Sequence, residues 1–253
     1  MPLMAKLPGR SFTAFDLPGH GESEFDKTLD IQAQAVSTAI HLLETTGPSD
    51  VFGHSFGATV ALKLAMKRPD LVRRLSLYEP VYFSVLAQGN PEAYAAEARA
   101  SASFTRAAEM QDWPAAARAF LGRWSLEPFD ELPLAQQKYI LKTIPLIMAS
   151  SPSVIAPESG RILLAELEKP ELPILLMEGG GSPKVISEIN ALLARNGKNI
   201  TRKTLTEAGH MGAITHAGAV ASLMADQPIR HFPASTPAKS APVSARRGPG
   251  AAT

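Results

Sequence analysis

The chain has 253 residues, 45% of them hydrophobic, enough to bury one large core or a core with a small cap, so it reads as a soluble globular protein. Its 25 Lys and Arg against 24 Asp and Glu leave a formal net charge of +1, which points to neither nucleic acid nor a charged membrane surface as a partner. With no cysteine it has no disulfide, thiolate metal site or cysteine nucleophile and is compatible with a cytoplasmic location; no apolar run reaches the roughly 18 residues of a membrane span, and the proline-broken residues 1–8 do not read as a secretory signal.

In chain order, the first strand-like run is 11–15, closing on the glycine-rich turn Asp16-Leu17-Pro18-Gly19-His20-Gly21-Glu22-Ser23. This turn is expected to be structural, with Asp16 and His20 hydrogen-bonding the loop near a pocket floor. A second short run, 50–52, leads into Gly53-His54-Ser55-Phe56-Gly57, followed by an almost wholly apolar stretch from 58 to 66 that Lys67-Arg68-Pro69 stops. Strand, tight turn and helix in this order is the setting in which G-x-S-x-G presents a nucleophile. The serine hydroxyl is pushed out at the strand end, the two glycines are expected to relieve collisions, and the Phe56 N–H at the helix start points at a developing oxyanion. A third run, 74–78, ends at Glu79-Pro80. From 84 to 168 Ala-rich helical stretches (91–102, 114–121 and 134–144) follow one another with no convincing strand, which reads as a helical cap inserted into a sheet domain made of 1–83 and 169–230. The run 173–177 ends at Glu178-Gly179-Gly180-Gly181-Ser182-Pro183, and the run 200–205 leads to Ala208-Gly209-His210-Met211-Gly212 and a helical segment over 217–225. Residues 231–253, rich in Pro, Ala and Ser, with Lys239, Arg246 and Arg247 but no acidic residue, are expected to form a disordered, solvated tail. Short strands alternating with helices predict a parallel α/β sheet that binds its ligand at the carboxyl ends of the strands. Asp16, Gly53, Glu79, Glu178 and His210 all fall there.

A serine nucleophile at neutral pH needs a base to take its proton and a third group to orient that base. His210, in a glycine-flanked loop after the last strand, is the base candidate. The other histidines are worse placed: His54 is too close in sequence to face Ser55, His20 lies in the early turn, His41 on a helix, His216 near a helix start and His231 in the tail.

Asp16 to Ser23, Gly53-His54-Ser55-Phe56-Gly57-Ala58 and Gly209-His210-Met211-Gly212 together resemble the α/β-hydrolase family, in that order and over about residues 8–228. The resemblance implies a Ser, acid, His triad on a doubly wound, mostly parallel sheet, with a helical cap between the sixth and seventh strands shaping the substrate pocket. The chain departs from the family's pattern at the acid. Most members carry an aspartate after the strand read here as 173–177, and this chain has none there; the Ser182 hydroxyl cannot hold an imidazolium by charge. Glu79, at the end of the neighbouring strand from which some members take their acid, is favoured, and the order Ser55, Glu79, His210 matches the usual triad order. Glu178 is the alternative acid, with the difficulty that a residue still in its strand can point away from His210. A second departure is that the chain begins just before the strand resembling the family's fourth, so an N-terminally truncated fold is expected. The run 11–15 would then pair directly with the next strand or be loosely held. The family's His-Gly loop, which supplies a second oxyanion donor, would be missing, leaving Phe56 N–H; one such donor is worth ~2.7–4 kcal/mol in the transition state. Exposed edges of a parallel sheet invite association, so a homo-oligomer is an expected partner arrangement.

The leading expectation is a serine hydrolase that cleaves a small, apolar ester or related acyl compound through Ser55, Glu79 and His210, with no metal and no organic cofactor. Serine at the turn argues against the epoxide hydrolases and haloalkane dehalogenases, which share the fold but use aspartate. Phe104, Trp113, Phe120, Trp124 and Phe129 in the cap suit an apolar acyl or alcohol part, although aromatic residues at helical spacing more often build core. The competing expectation is a catalytically impaired, hydrolase-like binding protein or a fragment. A carbon–carbon bond hydrolase or a cofactor-free haloperoxidase would use the same three residues.

Overall fold

A computed structural model describes residues 2–168 and 172–228. Four strands, β1 (Ser49–His54), β2 (Val72–Tyr78), β3 (Ile174–Gly179) and β4 (Ile200–Leu205), form one sheet in the order β1-β2-β3-β4, every neighbouring pair parallel. Parallel neighbours need long crossovers, and helices supply them. They are α1 (Ile31–Thr46) before β1, α2 (Phe56–Lys67) between β1 and β2, and α11 (Lys184–Asn196) between β3 and β4; α12 (Gly212–Thr215) and α13 (Ala217–Ala225) follow β4. Between β2 and β3 the regular elements among the described residues are all helices: α3 (Leu86–Gly89), α4 (Pro91–Ala100), α5 (Ala102–Glu109), α6 (Trp113–Trp124), α7 (Leu134–Thr143), α8 (Pro145–Ala149), α9 (Ser151–Val154) and α10 (Pro157–Glu166), with short 3-10 turns. Local chemistry sets several starts. Asp30, Asn90 and Asp112 accept the third-residue amides of α1, α4 and α6, and Pro91 and Pro114 occupy first-turn positions whose amides have no intrahelical partner.

Strand side chains alternate between two covered faces. Leu75, Leu77, Ile174 and Leu176 pack with Leu62 and Leu64 of α2 and Ile186 and Ile189 of α11, whereas Tyr78, Leu175 and Met177 pack with Leu3, Leu7 and Val220. A sheet buried on both faces explains why β3 opens as an unbroken apolar run, Ile174 to Met177. Val85, Leu86, Leu163 and Leu167, from both ends of the helical insertion, also belong to the main cluster. Ala107, Ala116 and Ile144, and separately Ala117, Leu121 and Phe129, make small clusters of their own.

Two expectations need correction. Residues 11–15 form no strand. Among the described residues β1 pairs only with β2, and Phe15 and Leu17 turn instead into the cluster of Ala35, Val36 and Val60, while Arg10 is tied to Asp50 at 2.9 Å. The apolar side chains thereby find cover that an unpaired strand on the sheet edge would not supply. The second concerns β3, which runs two residues beyond the expected 173–177, because Glu178 and Gly179 pair with Thr204 and Leu205. Glu178 is therefore in the strand, not after it. The tail expected over 231–253 lies outside the described residues.

Candidate active site

The site is built where the four strands end, with His210 on the loop after β4. At the end of β1 the chain turns sharply through Ser55 (φ 54°, ψ −122°) into α2. A side chain at Gly53 would place its Cβ 2.4 Å from the Gly57 carbonyl oxygen and 2.6 Å from Ala58 Cα, so only glycine lets strand and helix approach this closely. Gly57 is different: a Cβ there would meet nothing within 4 Å, which corrects the expectation that both glycines relieve collisions. Ser55 occupies the N-cap of α2 but makes no capping bond. Its hydroxyl is thus not committed to the helix, and the Phe56 amide that opens α2 is one of the first-turn donors without an intrahelical acceptor.

The Ser55 hydroxyl lies 3.0 Å from His210 Nε2, and His210 Nδ1 lies 2.6 Å from Glu79 Oε2. A carboxylate only accepts, so the proton sits on Nδ1 and the Nε2 lone pair faces the serine hydroxyl. Glu79 is fully buried just past β2, at φ 50°, and its amide continues the ladder to the Met177 carbonyl at 2.9 Å. Its second oxygen, Oε1, accepts from the Gly179 amide and the Ser182 hydroxyl, each at 2.6 Å. Among the described residues the non-glycine positive-φ positions are Ser55, Glu79 and Gln111. Two of the three therefore stand in this site, each costing roughly 1–3 kcal/mol of backbone strain.

The loop that carries His210 is held from below. Tyr78 Oη donates to the Gly209 carbonyl and His54 Nε2–H to the His210 carbonyl, both at 2.8 Å. Burial, reinforced by the neighbouring His210, pushes the His54 imidazole down to about 4, so it is a neutral donor near pH 7. Sequence reasoning set His54 aside because it cannot turn onto Ser55, and missed this contact. The signal was the strand itself: His54 pairs with Tyr78 in register, and the two side chains support the same loop.

The other candidates are accounted for. Glu178 shares the face of Ile174 and Leu176 toward α11, where it accepts from Arg202 Nη2 at 2.6 Å, Asn190 Nδ2 at 2.8 Å and Thr204 Oγ1 at 3.2 Å. The structure brings Glu79, not Glu178, to His210. In the early turn His20 Nδ1–H donates to the Pro18 carbonyl at 3.2 Å and the Ser23 hydroxyl to the Asp16 carbonyl at 2.9 Å. Leu17 and His20 line the pocket. Ser182, absent from the expected site, is on the Glu79 carboxylate.

Ser55, Phe56 and His210 border a pocket of about 160 Å³ walled mainly by Val81, Phe83, Phe120, Trp124, Leu146 and Val154. An apolar cavity of about 150 Å³ accepts benzene, so this one suits an uncharged group of that size. Of the five aromatics expected to suit an apolar substrate part, Phe120 and Trp124 reach it; Phe104, Trp113 and Phe129 pack among the helices between β2 and β3. The Trp124 ring sits 4.8 Å from the His210 ring, with the Arg123 guanidinium 4.8 Å from its own centroid, and Arg123 is paired with the largely buried Glu97 at 2.8 Å. Among the described residues no group of three or more His, Cys, Asp or Glu side chains is disposed to hold a metal ion, and no helix is long and apolar enough to cross a membrane.

The alpha/beta hydrolase family model matches residues 1–223. A pimeloyl-acyl-carrier-protein methyl ester esterase of Neisseria meningitidis serogroup C is 30% identical over 230 residues, covering 88% of this chain and 86% of that protein. The (E)-2-((N-methylformamido)methylene)succinate hydrolase of Acinetobacter baylyi is 25% identical over 206 residues, 80% of this chain and 74% of that protein. Among solved structures, MGS-M2, an alpha/beta hydrolase enzyme from a Medee basin deep-sea metagenome library, superposes with a TM-score of 0.61 at 14% identity, covering 85% of this chain and 80% of its own.

Proposed function

This chain belongs to the alpha/beta hydrolase family and is a hydrolase enzyme, and on that premise we propose that it cleaves a small, apolar ester through Ser55, His210 and Glu79. The observation that carries this reading is the unbroken line from the Ser55 hydroxyl through His210 to Glu79, at 3.0 and 2.6 Å, at the wall of an apolar pocket. As Ser55 Oγ attacks the acyl carbon, His210 Nε2 takes its proton, and the resulting imidazolium is held by Glu79 through Nδ1–H. The carbonyl oxygen becomes an oxyanion that accepts from the Phe56 amide. Collapse of the tetrahedral intermediate expels the alkoxide, which takes the proton from His210 Nε2–H, and leaves the acyl group on Ser55. Water, deprotonated by the same nitrogen, then attacks the acyl-serine; collapse of the second tetrahedral intermediate releases the acid and expels Ser55 Oγ, which takes the proton back from His210 Nε2–H.

The relative from Neisseria supports a methyl ester on a medium-length chain as the first substrate form to try. The apolar pocket supports an uncharged group next to the ester. The test is intact-mass labelling with a fluorophosphonate that reacts only with activated serines, followed by hydrolysis of methyl and p-nitrophenyl esters of two to eight carbons. Stoichiometric labelling and turnover, both lost in Ser55→Ala, are expected. A folded chain that neither labels nor turns over would be a hydrolase-like binding protein instead.

A further inference from the structure

We infer that Ser182 is a positioning residue for the acid of the triad. The inference rests on the Ser55–His210–Glu79 reading above and goes beyond it to ask what keeps Glu79 in place. The terminal torsion of a glutamate is soft, so burial alone does not decide which oxygen faces His210 or in which plane. In this site the choice is made by donors. Gly179 N–H and Ser182 Oγ–H converge on Oε1 at 2.6 Å each, leaving Oε2 for His210. Two donors on one oxygen and a third on the other fix the carboxylate plane along the line to the imidazole.

The turn that brings Ser182 there is fastened to the loop carrying the base. Gly180 N–H donates to the Leu205 carbonyl at 2.8 Å and Gly181 N–H to the Ala208 carbonyl at 2.9 Å, while the Ser182 amide closes back on the Gly179 carbonyl at 3.2 Å. A Cβ at Gly179 would lie 2.3 Å from the Ala208 carbonyl oxygen, so turn and loop touch backbone to backbone. Ser182 thus registers the acid against the strand end that also carries His210. It does so as a neutral donor, a task that needs a hydroxyl and no charge. It touches neither substrate nor reacting atoms, and its effect passes through Glu79.

The experiment is a double-mutant cycle. Rates are read as kcat and KM on the best ester and as the second-order rate of fluorophosphonate labelling, which stays measurable in slow variants. Ser182→Ala is expected to lower kcat and the labelling rate about 10-fold, as loss of one hydrogen bond to a charged group does, with KM within about twofold of wild type. In a Glu79→Gln background the same substitution is expected to change neither rate by more than about twofold. Ser182→Thr and Ser182→Val, nearly equal in shape, separate the hydroxyl from packing and serve if the alanine variant folds poorly: threonine is expected to retain most of the rate and valine to match alanine. Equal losses in both backgrounds, equal threonine and valine variants, or a wild-type rate in Ser182→Ala would overturn the inference. Turnover that survives Ser55→Ala would instead overturn the reading beneath it, so the two failures are told apart.

Discussion

His54 makes folding stability depend on acidity in a calculable way. Its folded-state value of about 4 lies below its ordinary 6.5, mainly because burial disfavours the charged ring. Between those two values the unfolded chain binds more protons than the folded one, so stability rises with pH across that window. The contribution is complete above about 6.5 and is lost as pH falls toward 4. Integrating the two titrations from pH 7 to pH 4.5 gives a loss of about 2 kcal/mol from this one residue. Carboxylates elsewhere also titrate in acid, so the wild-type chain alone does not isolate the effect. His54→Gln does, because a glutamine amide can still donate to the His210 carbonyl that His54 Nε2–H reaches at 2.8 Å, yet it does not titrate. Urea unfolding of both chains at pH 7 and pH 4.5, with a common m-value, gives the four free energies required. The wild-type chain should lose about 2 kcal/mol more than His54→Gln over that interval. Equal losses, within about 0.5 kcal/mol, would refute the assignment of His54 as a buried, neutral donor.

The remaining predictions concern catalysis, specificity and the turn. Glu79→Gln should lower kcat by about 10³–10⁴ at near-wild-type stability, the loss seen when a triad acid becomes an amide, whereas Glu178→Gln should leave kcat within about twofold and be visible only as a loss of stability, in steady-state kinetics run beside thermal melts. Trp124→Ala should raise KM for esters of six to eight carbons at least several-fold more than for acetate, because the ring walls the pocket beside His210; an equal change across the series would place Trp124 outside the acyl site. Gly53→Ala should destabilise by about 1–3 kcal/mol or fail to fold, since its Cβ would lie 2.4 Å from a carbonyl oxygen, while Gly57→Ala, in open space within α2, should gain about 0.5–1 kcal/mol; denaturation midpoints separate the two.

How far the site was legible in the sequence depended on how local its causes are. Ser55 was legible because one short segment carries the strand, the turn and the helix, and Gly53 has a steric reason visible from its neighbours. β4 and α13 were expected at their observed limits because each is one uninterrupted pattern, 200–205 and 217–225. Residues 11–15 have the composition of a strand but not a partner for it, and pairing is decided by what lies alongside, which no local pattern carries. The end of β3 was misjudged for the same reason, since Glu178 and Gly179 are strand only through β4.

The roles of His54 and Ser182 were hidden by a different cause. Each acts on a residue far away in the chain, His54 on the backbone of His210 and Ser182 on the carboxylate of Glu79, and neither has the charge or spacing that marks a member of a triad. Both follow once the register is known. β1 and β2 are aligned so that His54 stands beside Tyr78, which points both side chains under the His210 loop. β2 and β3 are aligned so that Tyr78 stands beside Met177, which puts the turn after β3 next to the residue after β2. Three strand ends then meet at one place: the first brings Ser55, the second Glu79, and the third the donors that orient Glu79. Ser55 and Glu79 are both held at positive φ, and a strained backbone persists only where its surroundings over-determine it. The hydrogen bonds from Gly179 and Ser182, and the ladder bond from the Glu79 amide to Met177, are that over-determination for the acid. Removing the Ser182 hydroxyl therefore tests the same balance from the opposite side to Glu79→Gln: it leaves the charge in place and loosens what aims it.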